Sequence, residues 1–119
     1  MKILAIRYTQ FSAEMASFYG ALGLPLDVQS RTGDWIELGA IDGSLALHVA
    51  DPLDLSHPAG SVELAFESDE LLETIKTRLD TAGFAGSVIV DESFGRSLRI
   101  IDPEGVPVQV NEFDRELFT

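Results

Sequence analysis

The segment Ile101-Asp102-Pro103-Glu104-Gly105-Val106-Pro107-Val108-Gln109-Val110 decides the fold of this 119-residue chain. Its Asp-Pro-Glu-Gly portion is typical of a tight turn, because proline presets φ at about −65° and glycine tolerates a left-handed conformation at the fourth position. After the turn the residues alternate, which predicts a strand with valines on one face and Gln109 on the other. A polar group in the middle of a strand needs a partner, so other strands are expected to meet Gln109.

The two halves of the chain repeat one pattern of elements. Gly23 and Gly83, 60 residues apart, each follow an apolar helical stripe and favour a left-handed helix end. Gly43 and Gly105, 62 residues apart, each lie in a turn signal that precedes a strand. Each half therefore reads as a strand, a helix and three strands, and a repeat of this length determines the architecture.

The predicted fold class is α+β, with two βαβββ modules that form a concave eight-stranded sheet flanked by two helices. A single domain is expected over residues 1–119, because this length suits one core. Module 1 is predicted at about 1–51, a linker with prolines at about 52–60, and module 2 at about 61–113.

The chain is strongly acidic, with a formal net charge of −12 and a sequence pI near 4.3. Such a surface repels phosphate backbones and anionic membranes, so neither a nucleic-acid partner nor a membrane partner is expected. The absence of cysteine excludes disulfides and thiolate metal sites and fits a cytoplasmic protein. The start, with Lys2 and Arg7, is too charged for a signal peptide, and no apolar run approaches the roughly 20 residues that cross a bilayer.

Three polar residues are predicted to share the face of the sheet that the helices do not cover. Alternation along the strand from Ser44 places His48 on this face, and alternation along the strand from Ser61 places Glu63 there. Gln109 joins them from the last strand, at the position that matches His48 in the other half. Three such residues beside small or apolar neighbours predict a shared ligand pocket in a concave cup.

The first strand is predicted to turn Leu4, Ile6 and Tyr8 towards a helix and Arg7 towards the cup. The opposite register would bury Arg7 under a helix, and an unpaired buried charge costs several kcal/mol. In the preferred register Glu63 or a neighbouring carboxylate could neutralise Arg7, which becomes a candidate ligand-binding residue.

Trp35 and Arg99 are further candidate ligand-binding residues, and each has two interpretations. Trp35 is either an aromatic wall of the cup, on the second strand, or a tryptophan of the core or of a dimer interface. Arg99 either contacts an anionic ligand or forms a salt bridge with a carboxylate, and the salt bridge is favoured. His57, in the linker before a proline, is interpreted as a solvated loop residue.

Three segments carry a resemblance to a known family: Phe18-Tyr19-Gly20-Ala21-Leu22-Gly23-Leu24, Val62-Glu63-Leu64-Ala65-Phe66-Glu67 and Asp102-Pro103-Glu104-Gly105. In this order, over about residues 3–112, they resemble the vicinal oxygen chelate superfamily. That superfamily includes glyoxalase I, bleomycin-resistance proteins, fosfomycin-resistance proteins and extradiol dioxygenases. Because one fold hosts many chemistries, the resemblance is specific for the fold and not for an activity.

The resemblance implies a homodimer, with cups completed across the two chains. For the enzymes of the superfamily it also implies a divalent metal, held by His, Gln or Glu on the first and last strands of each module. The matching positions here are Leu4 (or Arg7 in the other register), His48, Glu63 and Gln109. The first-strand ligand is missing, so no cofactor is expected. His48, Glu63 and Gln109 are the candidates if a divalent metal is bound.

Three functions follow from these expectations. The favoured one is a glyoxalase/bleomycin-resistance-like protein that binds a small molecule in the cup without a metal. The alternative is a metal-dependent lyase, isomerase or dioxygenase of the glyoxalase type, with Glu63 as a metal ligand or a proton-transfer base. The third is a non-catalytic subunit that acts through protein–protein interaction.

Overall fold

Each half of the chain folds as a strand, a helix and three strands, and all eight strands join one mixed sheet in the order β2-β3-β4-β1-β5-β8-β7-β6. This computed structural model describes residues 1–118, so Thr119, the last residue of the predicted domain, lies outside the described residues. The predicted α+β architecture of eight strands and two helices is confirmed. The elements are β1 Lys2–Thr9, α1 Ser12–Ala21, β2 Leu26–Gln29, β3 Trp35–Ala40, β4 Gly43–Val49, β5 Val62–Glu67, α2 Leu72–Thr81, β6 Val88–Glu92, β7 Gly95–Ile101, β8 Pro107–Phe113 and a final 3-10 helix, η1, at Arg115–Phe118.

The glycine signals predict the turns and helix ends of both halves. Gly23 and Gly83 have φ of 109° and 92°, and at each helix end the backbone N–H groups of the glycine and of the next residue donate to the last carbonyls of the helix. Gly105 has φ of 86°, and the Asp102 carboxylate accepts hydrogen bonds from two backbone N–H groups of the same turn. Three of the four repeat glycines therefore adopt backbone conformations that glycine favours, whereas Gly43 opens β4 where an added Cβ would lie 2.7 Å from the Ile3 carbonyl oxygen.

The two modules meet inside one chain through their first strands. β1 pairs in antiparallel fashion with β5, while β1 is parallel to β4 and β5 is parallel to β8. The concave face of the sheet is therefore built from both modules of a single chain.

The helices cover the two flanks of the convex face and leave its centre open. Helix α1 packs on β3 and β4, and α2 packs on β6 and β7. Between them, on β1 and β5, the side chains of Ile3, Val62 and Leu64 are 55%, 65% and 52% exposed. This strip, with Ala5 and Phe66, is called the central convex strip below.

The predicted register of the first strand is wrong. Tyr8 pairs with His48 and Ile6 pairs with Glu63, so β1 turns its even-numbered residues to the concave face and Arg7 to the convex face. The prediction assumed a helix over β1, but no helix lies there. Arg7 is half-buried and donates a hydrogen bond to the Tyr8 carbonyl oxygen at 2.5 Å, so its charge needs no carboxylate in the cup.

The concave face has an apolar floor of its own at the middle of the sheet. Leu4 and Ile6 of β1 are 0% and 2% exposed, and they pack against small residues of the neighbouring strands, Ala46 of β4 and Ala65 of β5. On the two adjacent strands Leu4 has the small cross-strand partners Ser44 and Ala65. No helix among the described residues is long and apolar enough to cross a membrane.

Candidate functional site

A cavity of about 720 Å³ opens on the concave face, and residues of both modules line it. We call this cavity the cup. Its volume lies in the range of roughly 300–1,000 Å³ that small-molecule sites occupy. Five of the six candidate residues line it, all except Arg7, together with two residues that were not candidates. These seven are Trp35, His48, Glu63, Arg99, Gln109, Tyr8 and His57.

The carboxylate of Glu63 is the centre of the polar groups in the cup. The Tyr8 hydroxyl donates a hydrogen bond to Glu63 Oε1 at 2.8 Å, and the Gln109 amide nitrogen donates to the same oxygen at 2.6 Å. The His57 Nε2 atom lies 3.2 Å from Glu63 Oε2. With its side chain only 10% exposed, Glu63 is a desolvated carboxylate held by partners on three separate segments.

Tyr8 is held as a neutral hydrogen-bond donor. Burial raises the pKa of its phenol above the usual value of 10.0, and the hydrogen bond to Glu63 and the negative charges of Glu63 and Asp54 raise it further. Tyr8 can therefore donate to Glu63 at neutral and moderately alkaline pH. A different choice of register for β1 would have revealed it from the sequence.

His57 lies in the cup, contrary to its interpretation as a solvated loop residue. Its ring stacks on the Tyr8 ring with centroids 4.7 Å apart, and its Nδ1 atom lies 3.2 Å from Asp54 Oδ2. The imidazole therefore bridges two carboxylates, Asp54 and Glu63. The linker has no periodicity from which this return towards the sheet could be predicted.

His48 and Trp35 form an aromatic wall on the other side of Tyr8. The His48 ring lies 5.2 Å from the Tyr8 ring and 5.6 Å from the Trp35 ring, edge to face with the latter. Trp35 donates from its indole nitrogen to Glu37 at 2.8 Å. Trp35 opens the third strand, not the second, because the short edge strand β2 precedes it.

Arg99 lines the cup from β7, and its guanidinium is engaged by side chains of its own module. Its Nη2 atom donates to Glu92 and its Nε atom to the Ser97 hydroxyl, both at 2.9 Å. The favoured interpretation, a salt bridge with a carboxylate, describes these contacts.

The C-terminal segment, which has no sequence pattern, closes one end of the concave face. Arg115 of η1 pairs with Glu37, whose side chain is 0% exposed, and also with Glu67 at 2.8 Å. The Arg115 guanidinium lies 4.7 Å from the centre of the Phe113 ring. These contacts hold a buried carboxylate beneath the aromatic wall.

The side chains of the cup do not fit the metal that the resemblance implies for enzymes. Among residues 1–118, no group of three or more His, Cys, Asp or Glu side chains is placed to hold a metal ion. The first strand offers only Ile6 and a neutral Tyr8. Both oxygens of Glu63 already have partners, and the His48 Nδ1 atom lies 2.7 Å from the Val49 carbonyl oxygen.

Comparisons with known proteins agree with this architecture. No family model matches the chain, and no curated protein matches it in sequence. Its fold is similar to the structure of an NAD-dependent benzaldehyde dehydrogenase from Legionella pneumophila, with 16% identity and a TM-score of 0.69 over 94% of this chain and 99% of that one. It is also similar to a glyoxalase/bleomycin resistance protein/dioxygenase superfamily member from Vibrio splendidus 12B01, with 13% identity and a TM-score of 0.58 over 92% and 96%.

At these identities the comparisons establish a shared fold and leave the activity to be argued from the site. The architecture of this chain, with paired βαβββ modules and a concave eight-stranded sheet, indicates the same fold. This chain has the vicinal oxygen chelate fold that its sequence motifs resemble.

Proposed function

We propose that this chain binds a small organic molecule in its cup without a metal, and that two copies associate as a homodimer. The observation that carries the binding proposal is the arrangement around Glu63. A desolvated carboxylate with three partners, at an aromatic wall and inside a cavity of ligand size, is costly to maintain for stability alone.

Two properties of the cup favour binding over the metal-dependent alternative. Its polar groups are already oriented by hydrogen bonds within the protein, as expected of a preorganised ligand site. Its donor set does not fit a divalent metal, because the position on β1 carries no ligand and Gln109 is a neutral amide. The test is titration of small molecules against the emission of Trp35, the single tryptophan of the chain, with and without a chelator.

The central convex strip supports the homodimer. It joins apolar side chains of two adjacent antiparallel strands, with Arg7 as its only charged neighbour on those strands, while the chain as a whole carries a net charge of −12. Two such chains repel each other wherever the carboxylates of one copy face those of the other. A strip without carboxylates is therefore the surface on which the copies can associate. β1 and β5 are equivalent strands of the two modules, so the strip suits a two-fold contact.

Leu64→Asp is expected to convert the dimer into a monomer, because it places a carboxylate of each copy at the centre of the contact. Leu53→Asp is the matched control, since Leu53 is 90% exposed in the loop between β4 and β5 and lies outside the strip. Sedimentation at micromolar concentration measures both, with circular dichroism to verify folding. A monomeric unmodified chain, or an equal effect of the two variants, would contradict the proposed interface.

A further inference from the structure

We infer that the ligand of the cup is an organic cation, a protonated amine attached to an aromatic or apolar body. This inference rests on the proposed function and names the class of ligand. Its first basis is the charge of the cavity wall. Among the described residues, five carboxylates line the cup and only two guanidinium groups do. These residues are Asp34, Asp51, Asp54, Glu63, Glu92, Arg31 and Arg99.

One of the two guanidinium groups in the wall is neutralised before a ligand enters. Arg99 is paired with Glu92 at 2.9 Å. Among residues 1–118, Glu63 and Asp54 form no ion pair with a Lys or Arg side chain, and the group between them is the His57 imidazole. An anionic ligand would therefore meet carboxylates without a Lys or Arg counter-charge in a partly desolvated site, whereas a cation would be attracted there.

The aromatic rings of the cup suit the same ligand. Tyr8, Trp35, Phe94 and Phe113 all line the cavity, and the last three form a connected series with centroids 6.1 Å and 5.3 Å apart. Aromatic faces attract ammonium groups through the ring quadrupole, and more strongly where water is excluded. The same rings offer apolar area to the body of the ligand.

Asn111 is independent evidence that the ligand carries a hydrogen-bond donor. Its side chain is 1% exposed and lines the cup, and its Oδ1 atom is buried without a hydrogen-bond partner among residues 1–118. A buried acceptor without a partner is costly, so the site is completed by a group that donates. An ammonium group donates up to three hydrogen bonds and accepts none.

His57 occupies the place that the inferred amine would take. It presents a flat ring with nitrogen atoms to two carboxylates and stacks on Tyr8. The loop that carries it is held by few apolar contacts, since Leu53 and Leu55 are 90% and 88% exposed. The amine therefore displaces His57 from Glu63 when it binds, and His57 acts as an internal competitor.

Three probes of equal aromatic body and different charge test the inference: 2-phenylethylamine, 2-phenylethanol and 3-phenylpropionate. Affinities come from calorimetry and Trp35 emission at neutral pH. The amine is expected to bind at least about tenfold more tightly than the alcohol, a difference of about 1.4 kcal/mol, and the carboxylate more weakly still. Added salt is expected to weaken binding of the amine and to leave binding of the alcohol unchanged.

Variants test whether the preference for the amine depends on Glu63, Asp54 and His57. Glu63→Gln is expected to weaken binding of the amine by about tenfold and to affect binding of the alcohol less. Glu104→Gln, in the exposed turn between β7 and β8, is the matched control and should change neither. Asp54→Asn, in an exposed loop, should weaken the amine several-fold and serves if Glu63→Gln does not fold. His57→Ala should increase the affinity for the amine.

The outcomes separate the two proposals. If the alcohol or the carboxylate binds in the cup as tightly as the amine, the cation inference is wrong and the proposed function stands. If none of the three probes binds, both fail. An amine affinity that is indifferent to Glu63→Gln and Asp54→Asn overturns the assigned site, and a weaker amine in His57→Ala overturns the competitor role of His57.

Discussion

Leu98→Ala is expected to lower the free energy of unfolding by roughly 2–5 kcal/mol, as for other large-to-small changes in a packed core. Leu98 is 0% exposed and lies in the cluster beneath α2, with Leu72, Ile75 and Val110. Leu64→Ala should cost less than about 1 kcal/mol in the isolated monomer, because Leu64 is 52% exposed on a strand that no helix covers. Urea unfolding of both variants gives the comparison.

This pair of variants tests where the helices lie on the convex face. The sequence suggests that Leu64 faces a helix, which would make its replacement as costly as that of Leu98. Unfolding is measured at protein concentrations low enough to populate monomer, so that a contact between copies does not add to the cost. Equal losses for the two leucines under these conditions would contradict the observed placement of the helices.

Arg115→Gln is expected to destabilise the chain by roughly 3 kcal/mol, since removal of one partner leaves the buried carboxylate of Glu37 without its counter-charge. This loss of stability is at the low end of the range for broken buried ion pairs, because the Arg115 side chain is 40% exposed although Glu37 is 0% exposed. Arg78→Gln is the control, because its pair with Glu70 lies on the surface and such pairs contribute about 0–1 kcal/mol.

The double replacement Arg115→Gln with Glu37→Gln should recover part of the loss, since it removes the buried charge as well as its partner. Urea unfolding measures all the variants. A cost for Arg115→Gln no greater than that for Arg78→Gln, or no recovery in the double variant, would show that Glu37 does not depend on η1.

Local patterns in the sequence predict most of the sheet. Gly23 and Gly83 mark equivalent helix ends because a left-handed residue is required there, and this determines the repeat. Alternation places His48, Glu63 and Gln109 on the concave face, because in each of these strands the apolar set faces the opposite side.

The remaining features depend on contacts that no local pattern encodes. Both faces of β1 carry apolar residues, so its register depends on where the helices lie, and that is a property of the whole sheet. For this reason the sequence pattern does not place Tyr8 in the cup. His57 reaches the cup through a loop without periodicity, and Arg115 reaches Glu37 across 78 positions of sequence. The stacking of His57 on Tyr8 and the pairing of Arg115 with Glu37 join segments that are far apart in the sequence.

The most direct measurement of the central claim is a binding titration on protein stripped of metal with a chelator. The three phenyl probes are titrated against stripped protein and against the same protein supplied with Zn²⁺ or Mn²⁺, with Trp35 emission as the signal. We predict that at least one probe binds stripped protein at one molecule per chain, with the same affinity after metal is added. Binding that is absent from stripped protein and restored by metal would contradict the account.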